Sequence, residues 1–187
     1  SDCLVGSEMC IRDRDKLRYI CSTVSRVFAD LPHWAVTGMP LNEVFRQFKI
    51  KALEAGVDDV SYLVGGAGPD GYTDIIAPPS DRPLASGDVF MLDTGCVWDG
   101  HFSDFDRNFA INYASEAAKG AHQRLFDATD AALDVLKPGI TAADLYTAMN
   151  HVLHPDQSKR IGDGVGRYGH GFGIQLTEPP SHTEWDK

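Results

Sequence analysis

Three acids fall close together in strand-like sequence. In GDVFMLDTGCVWDGHFSDFDRNFAI, residues 87–111, an apolar run carries Asp93, a tight turn comes next, and a second extended run carries Asp104 and Asp106. Burying a carboxylate in such sequence is costly unless a positive group meets it. Asp93 and Asp104 are 11 residues apart. Strands rise about 3.3 Å per residue and pair about 4.8 Å apart, so a turn at Asp99–Gly100 is expected to set these two acids at similar heights on neighbouring strands. Like charges held that close repel unless they share a proton or a cation bridges them. The spacing therefore favours a metal site built on Asp93 and Asp104. The competing arrangement is a structural ion pair of Asp104 or Asp106 with Arg107 or Arg82, and Asp106 is assigned to Arg107 or solvent.

A second cluster lies in RYGHGFGIQLTEPPSH, where His170 stands between glycines. Glycines let the backbone pass close to a site and leave the imidazole exposed to it. A neutral imidazole with two carboxylates makes a mixed nitrogen and oxygen site suited to Mn, Fe, Co or Zn. A histidine in a glycine loop carries little by itself; its weight comes from the two acids. Gly164, Gly166 and Gly169 reproduce the spacing of a dinucleotide fingerprint, but the order of elements is wrong for one, with no strand before it and a strand rather than a helix after it. Cys21 and Cys96 lie in apolar sequence and read as core. His33, His122, His151 and His154 have no partner pattern.

The elements that must position these residues are read from periodicity. Leu17, Ile20, Cys21, Val24, Val27 and Phe28 recur at steps of three and four, which predicts a helix from Asp15. A turn through LPHW and TGMP leads to a second helix over 41–55, with Val44, Phe45, Phe48 and Leu53 on its apolar face and Gly56 at its end. VSYLVGG reads as a strand, GAGPDGYTD as a loop, and IIAPPSDRPLASGD as a strand end with a proline-rich bend. The acid-bearing stretch reads as a hairpin. A long helix runs to about Leu136 with Ala121, Leu125, Ala128 and Ala132 on one stripe. TAADLYTAMNHVL is a helix with Thr141 as N-cap and Asp144 close to a capping box. A glycine-rich loop and a short strand, IQLTE, close the pattern. GMPLNEVFRQF and GITAADLYTAM align without gaps at an offset of 101 residues, which suggests two related halves, each a helix pair packed on strands.

Bulk properties bound the rest. The 187 residues are 43% apolar and 24% charged, ordinary for a globular chain. A net charge of −10 offers no basic stripe for a nucleic acid or an anionic membrane. No apolar run approaches the ~20 residues of a membrane span. The four cysteines show no C-x-x-C spacing, so a reducing, cytoplasmic setting is expected. Residues 1–14, SDCLVGSEMCIRDR, do not share the periodicity of the helix after them and read as a non-native or linker segment, leaving 15–187 as the domain.

PPSDRPLASGDVFMLDTG, DGHFSDFDRNFAI and GHGFGIQLTEPPS together resemble the pita-bread metallopeptidase superfamily of Xaa-Pro aminopeptidase, prolidase, methionine aminopeptidase and creatinase. The resemblance implies an α/β (α+β) fold of two pseudo-symmetric halves, with helices on a curved, mainly antiparallel sheet. It implies two divalent metal ions, manganese among the candidates, with Asp93 on one metal, Asp104 bridging and His170 on the other. Glu178 is implied as an active-site acid. The implied chemistry is attack of metal-activated water on an amide bond of a small peptide or amide, in a cytoplasmic homodimer. The family's two remaining glutamate ligands come after the GHGxG element and are absent here, so the resemblance implies a C-terminally incomplete catalytic fragment with little activity of its own. Two substrate-side histidines of the peptidases are also replaced, by Ile76 and Thr177. That keeps open creatinase-type or ectoine-type amidine hydrolysis, lyase chemistry, or a non-catalytic binding module.

Overall fold

The computed structural model describes residues 11–69, 71–72, 76–155 and 166–186. Two compact units result, one running to Ser115 and including Phe172–Leu176, the other comprising Glu116–Gly171 and the chain from Thr177.

In the first unit, helix α1 (Ile11–Trp34) buries Leu17, Ile20, Val24, Val27 and Phe28 of the predicted stripe and Leu31 one turn on, while Cys21 is only half-buried. Two features differ from that prediction. The helix begins at Ile11, so the last four residues of the leading segment are helical. It also continues through Pro32 to Trp34, in place of the expected turn. Proline removes one backbone donor and usually breaks a helix. Here Leu31 and Ala35 are buried on either side, and the Ala35 N–H donates to the Leu31 carbonyl at 2.9 Å, so packing holds the last turn. Helix α2 (Leu41–Glu54) buries Leu41, Val44, Phe45, Phe48 and Ala52, while Leu53 points to solvent.

Strands β1 (Asp59–Gly68), β2 (Val89–Trp98), β3 (His101–Phe102) and β4 (Phe105–Ala110) form one antiparallel sheet, in which β2 pairs with all three others. Phe90, Leu92 and Cys96 on β2, with Phe105 and Phe109 on β4, face the helical core. Alternation therefore sends Met91, Asp93 and Gly95 to the opposite face. β1 carries a bulge between Val60 and Tyr62: Val60 pairs with Cys96 and Tyr62 with Gly95, so Ser61 is extra. Among the described residues no strand forms around Ile76.

The second unit contains α3 (Glu116–Val135), α4 (Ala142–Leu153) and the short antiparallel pair β5 (His170–Gly171) and β6 (Glu178–Ser181). Helices α3 and α4 pack together. On α3 only Ala128 of the expected stripe is buried; Leu125, and Leu136 just beyond the helix, are exposed. Thr141 caps α4 with a complete capping box: its hydroxyl accepts from the Asp144 N–H, and Asp144 accepts from the Thr141 N–H. The expected IQLTE strand is displaced. Phe172–Leu176 is bent chain belonging to the first unit, with Gly173 accepting from the Phe102 N–H at 2.7 Å, and the strand starts at Glu178. Residues 156–165, including the start of the glycine-rich loop with Gly162 and Gly164, lie outside the described residues. Among the described residues no helix is long and apolar enough to cross a membrane.

Candidate functional site

The hairpin turn fixes which acids meet. Asp99 and Gly100 have φ of 47° and 74° and form a two-residue loop of the primed kind, whose twist suits an antiparallel pair. Trp98 then pairs with His101, and the same register carries Asp93 opposite Asp106. The acid level with Asp93 is therefore Asp106, not Asp104, which lies two residues nearer the turn. Directly opposed residues share a face of the sheet. Asp104 and Asp106 flank Phe105, which packs on the core, so both acids belong to the face that Asp93 occupies. The turn position read from sequence is correct, and the pairing it dictates adds Asp106 to the site instead of leaving it to Arg107. Arg107 donates to the Asp106 backbone carbonyl at 2.7 Å and lies over the Phe105 ring.

The base of the hairpin is clamped. Buried Asp88 accepts from both Arg82 terminal nitrogens, at 2.6 and 2.9 Å, and from the Ala85 N–H at 2.8 Å. The Asp88 carbonyl accepts from Ile111 N–H, which ties the start of β2 to the end of β4. Arg82, offered by the sequence as a partner for the site acids, thus serves Asp88.

Two tyrosines that the sequence did not single out border the acid face. The Tyr62 hydroxyl donates to Asp93 Oδ2 at 2.9 Å. Loss of hydration pushes its ionisation well above the ordinary phenol range, and the hydrogen bond and charge of Asp93, then the charges of Asp104 and Asp106, push it further. Tyr72 is raised by burial first and then by Asp106 and Asp93, with a side-chain hydrogen bond to Asn108 opposing. Asp106 is raised too, mainly by desolvation, with Asp104 adding and Arg107 opposing. Desolvation leads each of these shifts, and the neighbouring carboxylates add to it in the same direction.

In the second unit, His170 and Glu178 lie on the paired strands β5 and β6, both half-buried, with Gly171 opposite Glu178. A Cβ at Gly171 would stand 2.6 Å from the Pro179 carbonyl oxygen, so only glycine permits this pairing. His170 Nδ1 lies 2.8 Å from the Gly171 carbonyl oxygen. His182, also missed in the sequence, is held by backbone hydrogen bonds with Tyr168 and Gly169. Its imidazole is shifted down by burial and by the His170 charge, with Asp186 opposing.

Among the described residues no group of three or more His, Cys, Asp or Glu side chains is gathered to hold a metal ion. The donor chemistry of the acid face nevertheless fits one. Asp93 and Asp104 would offer hard carboxylate oxygens to a divalent cation, and the Asp93, Asp104 and Asp106 charges all act on Tyr62.

Comparison with known proteins places this arrangement in context. The profile of metallopeptidase family M24 matches residues 15–186. The probable dipeptidase PepE of Mycobacterium tuberculosis is 29% identical over 167 residues, 89% of this chain and 44% of that protein. The crystal structure of dipeptidase PepE from Mycobacterium ulcerans aligns with a TM-score of 0.86 at 28% identity, covering 95% of this chain and 47% of that one. Prolidase from Pyrococcus furiosus aligns with a TM-score of 0.81 at 17% identity, covering 95% and 52%, and supports the fold. The mixed α/β, pita-bread class expected from the sequence is thereby established. The chain spans about half the length of the relatives it matches.

Proposed function

The chain belongs to metallopeptidase family M24, and from that premise we propose that it serves a metal-dependent hydrolase of the Xaa-Pro aminopeptidase and prolidase type, acting on the amide bond of small peptides. The observation that carries the reading is the acid face of the β2–β4 hairpin, where Asp93 is opposed by Asp106 and flanked by Asp104 in a chain that the family matches almost end to end. Asp93 and Asp104 are the proposed carboxylate ligands and His170 the proposed imidazole ligand, for two divalent ions drawn from Mn, Co, Fe or Zn. Ions held there by Asp93, Asp104 and His170 would supply Lewis-acid chemistry, lowering the pKa of a coordinated water and polarising a carbonyl. The chain's own contribution is to hold the carboxylates on a rigid sheet and to present Glu178 as a proton-carrying acid beside the glycine-bounded His170. A small-peptide substrate and a cytoplasmic homodimer complete the proposal.

The test has two readouts. Metal-stripped chain should take up Mn²⁺ or Co²⁺, and Asp93→Asn or Asp104→Asn should abolish uptake. The full-length protein, reloaded with each metal, should hydrolyse Xaa-Pro dipeptides. Absence of both uptake and hydrolysis sinks the proposal. Thr177 stands beside Glu178 where the peptidases carry histidine, and this supports amidine hydrolysis as the second reading. Turnover of small amidines without dipeptide cleavage would establish it.

A further inference from the structure

β1 presents a side chain to the acid face that regular alternation would have buried. Val60 faces the core beside Cys96, and two residues further on Tyr62 should face it too. The extra residue at Ser61 reverses the parity, so Tyr62 pairs with Gly95 and shares the face of Asp93, while Leu63 takes the core side. Bulges re-aim side chains in this way. From opposite Gly95, the phenol runs diagonally to Asp93, two residues along β2, and donates to its Oδ2 at 2.9 Å. Such diagonal neighbours lie within reach of an aromatic side chain. Gly95 makes room for Leu176, not for the phenol: a Cβ there would stand 2.7 Å from Leu176 Cδ1 but at an ordinary contact distance of 3.5 Å from the Tyr62 Cβ. The Thr94 hydroxyl donates to the Tyr62 carbonyl at 2.9 Å and secures the strand at that point.

We infer that Tyr62 is a positioning residue for the metal site: the bulge at Ser61 delivers its phenol to Asp93, where it holds Oδ2 and orients the carboxylate for a cation. The inference rests on the reading of Asp93 as a ligand. Its basis is separate, because the bulge and the hydrogen bond are features of this chain. Outer-sphere donors of this kind fix the rotamer of a ligating carboxylate, and their loss typically weakens metal binding about 10–100-fold.

The experiment is Mn²⁺ titration by calorimetry of the metal-stripped chain, of Tyr62→Phe and of Asp93→Asn, with circular dichroism to check folding. Co²⁺ is substituted in parallel for its visible absorption. Tyr62→Phe should bind Mn²⁺ at least about 10-fold more weakly than the wild type and change the Co²⁺ band shape, since a freed Oδ2 alters coordination. An unchanged or tighter affinity in Tyr62→Phe, with Asp93→Asn defective, overturns the positioning role and leaves the ligand reading intact. Unaltered binding in Asp93→Asn overturns the ligand reading and this inference with it. Should Tyr62→Phe misfold, the wild-type chain decides: Mn²⁺ should perturb a tyrosine absorption band with the midpoint of the calorimetric titration, and a silent tyrosine spectrum at saturating metal refutes the inference.

Discussion

The ion pair at the base of the hairpin makes a graded prediction. The Asp88 side chain is 2% exposed and that of Arg82 39%, and they share two short hydrogen bonds. Removing one partner of a fully buried pair costs about 3–5 kcal/mol, because an uncompensated charge stays behind. Water reaches the Arg82 side and softens this, so Arg82→Met should cost about 2–3 kcal/mol at neutral pH. In a chain of this size that is roughly 5–10 °C in the unfolding midpoint. Asp88→Asn should cost less, about 1 kcal/mol, since the amide oxygen can still accept from Ala85 and the guanidinium can rehydrate. Acid should bring wild type and Arg82→Met closer together. The Arg82 hydrogen bonds hold the Asp88 carboxyl below its ordinary range, against the effect of burial. A depressed carboxylate contributes stability above its unfolded pKa of about 3.9, and that contribution is lost as pH falls through the folded value. Wild type loses it on acidification, whereas Arg82→Met has none to lose, so the gap between them should narrow below about pH 4. Urea unfolding monitored by tryptophan fluorescence at neutral pH and near pH 3.5 measures both effects. A costlier Asp88→Asn, or a gap that widens in acid, refutes the reasoning.

Gly95→Ala should destabilise by about 1–2 kcal/mol, because the new methyl meets Leu176 Cδ1 at 2.7 Å, and Leu176→Ala in the same chain should recover most of that loss in urea unfolding. Thr141→Ala should cost about 1 kcal/mol through loss of the α4 cap, visible as reduced helicity or earlier fraying in hydrogen exchange. Phe48→Ala, at a fully buried position, should cost about 3–5 kcal/mol, while Leu125→Ala, on the exposed side of α3, should stay within about 0.5 kcal/mol; similar costs for the two would contradict the burial pattern.

Local signals are legible where local physics decides. The α1 stripe, the α2 stripe apart from exposed Leu53, the Thr141 cap and the turn at Asp99–Gly100 are short-range features, and each is present. Even the Asp93–Asp106 register is set by that turn, once pairs are counted outward from it. Pro32 misleads because buried neighbours outweigh one lost donor. The position of Tyr62 cannot be read in advance, because a bulge leaves no mark in alternation until its partner strand is known. IQLTE looks like a strand from composition, but Phe172–Leu176 answers to the hairpin it packs on and not to its own propensity. Of the proposed ligands, Asp93 and Asp104 are singled out by spacing, which sets them level where the register opposes Asp93 with Asp106. His170 and Glu178 draw their significance from a resemblance, and the structure adds their shared two-stranded pairing.

The excursion of Phe172–Leu176 makes the first unit discontinuous in the chain, and that bears on the order of folding. The hydrogen bond from Phe102 to Gly173 joins residues more than 70 positions apart, with nearly all of the second unit between them. Helices α1 and α2 and the hairpin can assemble early from contacts close in sequence, but the layer over Gly95 must wait until Leu176 has been synthesised. Such late, long-range closure slows the last step more than it weakens the product, since closure entropy grows only with the logarithm of the loop. A nascent chain paused within α4 would therefore carry its acid-bearing strand uncovered, a window in which a strand-binding chaperone could compete with Leu176 for the same surface.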